Sequence, residues 1–166
     1  MSSWNGELRN YSINYALGAY LARTYGGAAL FRDVVQNGLD GSDALEDALS
    51  AQGFDLLFGE VLADWAAANL LSDDVGASDP HRYNAGSWRE STAGGEVYRL
   101  GSINLFNYTE GFQVGPFLYT VDEYAAIGSQ PGHSNFYIDL GSASGVVGLY
   151  LEPVAGNTIT VVVKGN

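Results

Sequence analysis

The apolar residues of this 166-residue chain change period once, and that change limits what it can fold into. Over residues 12–71 they recur every three to four positions, the spacing of helices that each bury one face. Over residues 96–166 they fall in short runs rich in Val, Ile, Tyr, Phe and Thr, broken by Gly, Pro and Asn, which is the pattern of strands. The stretch between them, SDDVGASDPHRYNAGSWRESTAGG, consists of turn formers and reads as a linker or long loop over 72–95. The fold class that follows is α+β. An N-terminal four-helix segment on 1–71 precedes an antiparallel β-sandwich-like domain on 96–166.

Glycine punctuates the helical half. Ile13, Leu17, Tyr20, Leu21 and Thr24 form one stripe, and Gly26-Gly27 ends it. A second helix over 28–36 carries Leu30, Phe31, Val34 and Val35, and Asn37-Gly38 stops it. Ser42 is placed to cap a short helix over 43–51. After Gly53, a long amphipathic helix over 54–71 buries Leu56, Leu57, Val61, Leu62, Trp65 and Leu70. In the second half, EVYRLGSINLF, FLYTV, SNFYIDLG, GVVGLYLEP and NTITVVVKG are the predicted strands.

Composition excludes several functions. Hydrophobic residues make up 46% of the chain, enough for a core. No apolar run approaches the ~18 residues of a membrane span. Nineteen acidic residues face seven basic ones, a formal charge of -12, and Lys164 is the single lysine. Such a surface repels phosphate backbones, so nucleic acid is not an expected partner. The chain has no Cys, which removes disulfides, thiolate metal sites and a Cys nucleophile. Residues 1–7 have neither the basic region nor the apolar core of a signal peptide. If the protein is exported, its signal is expected upstream.

A self-contained catalytic set is not visible. The two histidines, His81 and His133, stand in polar loop contexts without a partner at metal-ligand spacing, and no His-Glu-x-x-His occurs. They read as solvated loop residues. There is no Gly-x-Ser-x-Gly elbow and no phosphate-binding Gly-x-x-x-x-Gly-Lys loop. The acidic pairs Asp73-Asp74 and Asp122-Glu123 read as solvated acids rather than a calcium site. Eleven Tyr and three Trp are compatible with stacking on sugars or with ordinary strand packing.

The stretch YALGAYLARTYGGAALFRDVVQNGLDGSDALEDAL, followed by FDLLFGEVLADWAAANLL, resembles the region C-terminal to the zinc site of gluzincin metallopeptidases. The bacterial hyicolysin-like group is the most similar, with a more distant likeness to the M1 aminopeptidases. Tyr15-Ala16-Leu17-Gly18 fits the Tyr-x-x-Gly step of these families and Tyr25-Gly26-Gly27 the helix break. Phe31 with Val34-Val35 fits the next helix, and Phe54, Phe58 and Trp65 fit the last. The likeness covers residues 11–71, and the two zinc-binding motifs are not among them. The resemblance implies the C-terminal part of a secreted or cell-surface zinc metallopeptidase, without a complete catalytic site of its own. Its partners would be the missing N-terminal catalytic half, which would hold the zinc, and a peptide substrate. Tyr15 would stabilise the oxyanion in the full-length enzyme, whereas a purely structural Tyr15 would pack against the helix at Phe31 or Trp65. Gly18 would let another backbone approach. An exposed apolar patch is expected on the helical half, able to pair two copies as a dimer. The alternatives are a degenerate stand-alone relative, a glycan- or protein-binding module, and a structural domain of a cell-surface protein.

Overall fold

The computed structural model describes residues 8–71, 76–82, 90–93, 96–99, 118–125, 135–142 and 159–163. Four helices form the first part: α1 (Leu8–Thr24), α2 (Gly27–Gln36), α3 (Gly41–Ala51) and α4 (Phe58–Leu71). Each buries the stripe that helical spacing brings to one side. Leu17, Tyr20 and Leu21 of α1, Leu30 of α2, Ala48 and Leu49 of α3, and Val61 and Ala68 of α4 meet in one core. The Tyr25 ring seals it, edge-on to Tyr20 at 5.7 Å and to Phe54 at 5.2 Å.

The joints explain the angles between helices. Gly26 has φ 125° and Gly27 φ 63°, so the chain reverses there in a conformation that side chains resist. A Cβ on Gly26 would also stand 3.1 Å from Gln52 Oε1. Gly26→Ala is therefore expected to destabilise the fold by about 1–3 kcal/mol, read as a lowered urea midpoint; an unchanged midpoint would contradict this account of the joint. Asn37 builds the next turn. Its amide donates to Ala44 O at 2.8 Å and to Asp47 Oδ2 at 3.1 Å, and its own Oδ1 accepts from Leu39 N–H at 3.1 Å. Gln52 Nε2 then donates to Asp33 Oδ2 at 2.6 Å, tying the end of α3 to α2. The Arg32 guanidinium, with this amide, holds the Asp33 carboxyl below its ordinary range.

Two helix starts differ from the expected ones. α3 begins at Gly41 with Asp40 at its N-cap, two positions before Ser42. α4 begins at Phe58 rather than at residue 54, because side-chain acceptors satisfy the first amides there. Glu60 accepts from Leu57 N–H at 2.8 Å, in the manner of a capping box, and Glu46 of α3 accepts from Phe58 N–H at 2.7 Å. Leu57 consequently points outward, 63% exposed, while Phe54 and Leu56 pack on the core from the connection.

The antiparallel β-sandwich expected over 96–166 is not what forms among the described residues, which are mainly helical. Two short strand pairs occur instead. β1 (Glu90–Ala93) pairs antiparallel with β2 (Glu96–Arg99), in register from Glu90↔Arg99 to Ala93↔Glu96. β1 falls in the stretch expected to be a linker. β3 (Leu118–Tyr119) pairs parallel with β4 (Tyr137–Ile138). The physical reason is a helix start hidden in Thr-Val-Asp-Glu. Glu123 Oε2 accepts from both Thr120 N–H and Thr120 Oγ1–H, and Thr120 Oγ1 accepts from Glu123 N–H. This capping box ends β3 after two residues and opens α5 (Val121–Ala125). A strand that runs into a helix cannot turn straight back as a hairpin, and a connection that contains a helix permits the parallel pairing seen here. Residues 159–163 of NTITVVVKG form no strand, and Ile159, Val161 and Val163 are exposed. GVVGLYLEP and most of EVYRLGSINLF lie outside the described residues.

Downstream segments lean on α4. Asn135 Nδ2 donates to Leu62 O at 3.3 Å. Burial raises the Tyr137 phenol above its ordinary range, and a hydrogen bond with Asn69 of α4 pulls it partly back. No described helix is long and apolar enough to cross a membrane.

Candidate functional site

Two features of the helical unit have functional chemistry. The first contains Tyr15. Its ring is neither packed on Trp65 nor enclosed by α2; it is 57% exposed on α1. Trp65 packs against the core instead. Tyr11, one turn earlier, is equally exposed. One turn later, a Cβ on Gly18 would lie 4.0 Å from Phe31 Cζ. The neighbour at Gly18 is therefore an aromatic ring at ordinary contact distance, not the backbone expected from the sequence. Phe31 is itself exposed at its outer edge, and Val35, one turn further along α2, is 82% exposed. Tyr11, Tyr15, Phe31 and Val35 thus follow one another by helical spacing and by the Gly18–Phe31 contact. They make an apolar strip across α1 and α2, away from the core.

The second feature is a chain of hydrogen bonds. Asp64 stands on α4 between Val61 and Ala68, on the side that faces the core. Its Oδ2 accepts from Tyr25 O–H at 3.0 Å. Its Oδ1 lies 3.1 Å from His81 Nε2. Tyr20 O–H donates to Pro80 O at 3.1 Å, and its oxygen is 3.3 Å from that of Tyr25. A phenol has one proton, so with Tyr25 committed to Asp64, the Tyr25 oxygen can only share the proton that Tyr20 directs mainly to Pro80 O. Burial raises both phenols well above their ordinary range; the neighbouring Tyr25 and the Asp64 charge add to the effect at Tyr20, and Asp64 adds to it at Tyr25. On the outer side, Ser78 Oγ is 3.4 Å from His81 Nδ1.

The order Ser78–His81–Asp64 is that of an acyl-transfer triad, but its geometry is that of a turn. His81 N–H donates to Ser78 O at 2.7 Å, so the serine and the imidazole belong to one local loop. Their side-chain contact lies at the limit of a hydrogen bond. Its evident role is to fasten residues 76–82 to the helices. Among the described residues, no group of three or more His, Asp or Glu side chains could hold a metal ion. A zinc ion therefore does not fit the described residues as a resident group, and the ligands of the peptidase reading would have to come from elsewhere. His133 and Asp73-Asp74 lie outside the described residues. Asp122 and Glu123 are in the first turn of α5, where Glu123 serves as a cap.

His81 is therefore not a freely solvated loop residue as its sequence context implied. Its partners are 17 residues away at Asp64 and, beyond it, at Tyr25, and local spacing gives no sign of them. One signal was present. A carboxylate on the core-facing side of an otherwise apolar helix requires partners. No protein-family model, no curated protein and no solved structure matches this chain.

Proposed function

We propose that this chain is the supporting, non-zinc-binding part of a secreted or surface-held metallopeptidase-like protein. In this reading the zinc-binding helices of the catalytic half dock along α1 and α2, and a peptide substrate passes the junction. The observation that supports it is the strip of Tyr11, Tyr15, Phe31 and Val35. It leaves apolar area exposed on the helices that carry the family likeness. Tyr15 has a free outer face there, so its phenol could donate to charge that develops on a carbonyl oxygen in the transition state. In the isolated chain the same strip would be the surface through which two copies meet.

Two results together test the reading. The reading frame upstream of Met1 should continue into a His-Glu-x-x-His helix followed by a ligating Glu. In that complete protein, Tyr15→Phe should lower kcat by about 10²–10³ while its melting temperature stays unchanged, because the exposed hydroxyl supports no core contact. A start signal at Met1 with no such motif upstream, or full activity of the Phe variant, would overturn it.

A further inference from the structure

We propose that His81 and Asp64 form a proton-controlled latch, holding residues 76–82 against the helical unit more firmly when the imidazole is charged than when it is neutral. Among the described residues, two contacts from this segment to the helices differ in kind. One is neutral, Tyr20 O–H to Pro80 O on α1's side. The other is the imidazole–carboxylate pair at 3.1 Å to α4. Only the second changes its electrostatics with a proton.

The surroundings leave Asp64 to read that proton. From α1, Tyr25 and Tyr20 present phenols that are neutral through the whole acid and neutral range. From α4, the facing group is Asp64 itself. Within the segment, Asp79 and Arg82 are 4.0 Å apart and offset each other. Ser78 supports either state. To a neutral ring its hydroxyl donates at Nδ1; from a charged ring it accepts. Nε2 keeps its hydrogen toward Asp64 in both states, so no hydrogen bond is lost when the proton leaves. What is lost is the charge attraction. His81 is 37% exposed and Asp64 25%, so solvent screens the pair and the change is a few-fold rather than many-fold.

The composition makes the latch addressable. The chain has two histidines and no cysteine, and histidine is the side chain that ordinarily changes charge between about pH 5 and 8. A response over that range can therefore be assigned by two variants. Hydrogen exchange of the whole chain, read on the peptide covering residues 76–82 and corrected for intrinsic rates, would be compared at about pH 5.5 and pH 8. The expected result is protection about threefold higher at the lower pH in the wild type and in His133→Gln. His81→Gln keeps an amide donor near Asp64 and should lose the pH dependence, with protection close to that of the wild type at the higher pH. Equal wild-type protection at the two pH values overturns the latch. So does a pH dependence that persists in His81→Gln or vanishes in His133→Gln. If His81→Gln does not fold, the wild type and His133→Gln still decide.

Discussion

Leu49→Ala is expected to remove about 2–5 kcal/mol of folding stability. Leu49 is fully enclosed in the last turn of α3, in the same core cluster as residues of α1, α2 and α4. Its carbonyl also accepts from Phe54 N–H at 2.9 Å, which holds the connection to α4 in place. That bond restrains the backbone, so the surroundings cannot readily collapse into the space left by the side chain, and the upper part of the range applies. For a chain of this size the melting temperature should fall by about 10 °C. Leu57→Ala is the matched control. The same side chain is lost, but from a position 63% exposed, and the change should stay within about 0.5 kcal/mol. Thermal melts of the two variants side by side check both; equal losses would mean that the core has been misplaced.

Alkaline pH is expected to unfold the protein from the inside. Tyr20 and Tyr25 are both enclosed, and their phenols are pushed above the ordinary value of 10.0. Below that value the folded and unfolded chains both keep these protons, and the contribution is fully present. Above it the unfolded chain releases them while the folded chain does not, so the folded state binds more protons and stability falls as pH rises. Each phenol contributes a slope of about 1.4 kcal/mol per pH unit, until the folded-state value is reached. Together they give about 3 kcal/mol per unit, with a further contribution from Tyr137, whose phenol is also raised. Urea midpoints between about pH 9.5 and 11.5 measure the slope. Tyr20→Phe should reduce it by one phenol's share. A slope unchanged in that variant would show that Tyr20 ionises as freely in the fold as out of it.

The helices were legible because their information is local. Leu17, Tyr20 and Leu21, then Leu30, then Val61, repeat at the period of a helix, and Gly26-Gly27 and Gly53 mark the breaks. The same spacing also assigned Ile13, Val35 and Leu57 inward, yet all three are exposed. Periodicity defines a stripe but not its width, and Leu57 was lost to the core when Glu60 and Glu46 began α4 late. The second half was misread because FLYTV and SNFYIDLG have strand composition, while strand direction depends on what connects them. Thr120 and Glu123 carried that information as a capping box, outweighed in the sequence by the β-branched residues around them. Of the candidate site, Tyr15 was singled out by likeness alone, and the structure adds only that it is exposed. The Tyr20–Tyr25–Asp64–His81 chain was not found, because it joins residues up to 60 positions apart through Pro80.

The contact from Asn135 to Leu62 O bears on the order of assembly. It closes a span of 73 residues, whereas Tyr25 reaches Asp64 across 39 and Gln52 reaches Asp33 across 19. Closure entropy grows only with the logarithm of such spans, so the distant contact is not much weaker at equilibrium. Rates respond more steeply to sequence separation. The four helices therefore have the means to assemble first, through short-range pairings, and α4 then serves as a finished template on which the later chain settles.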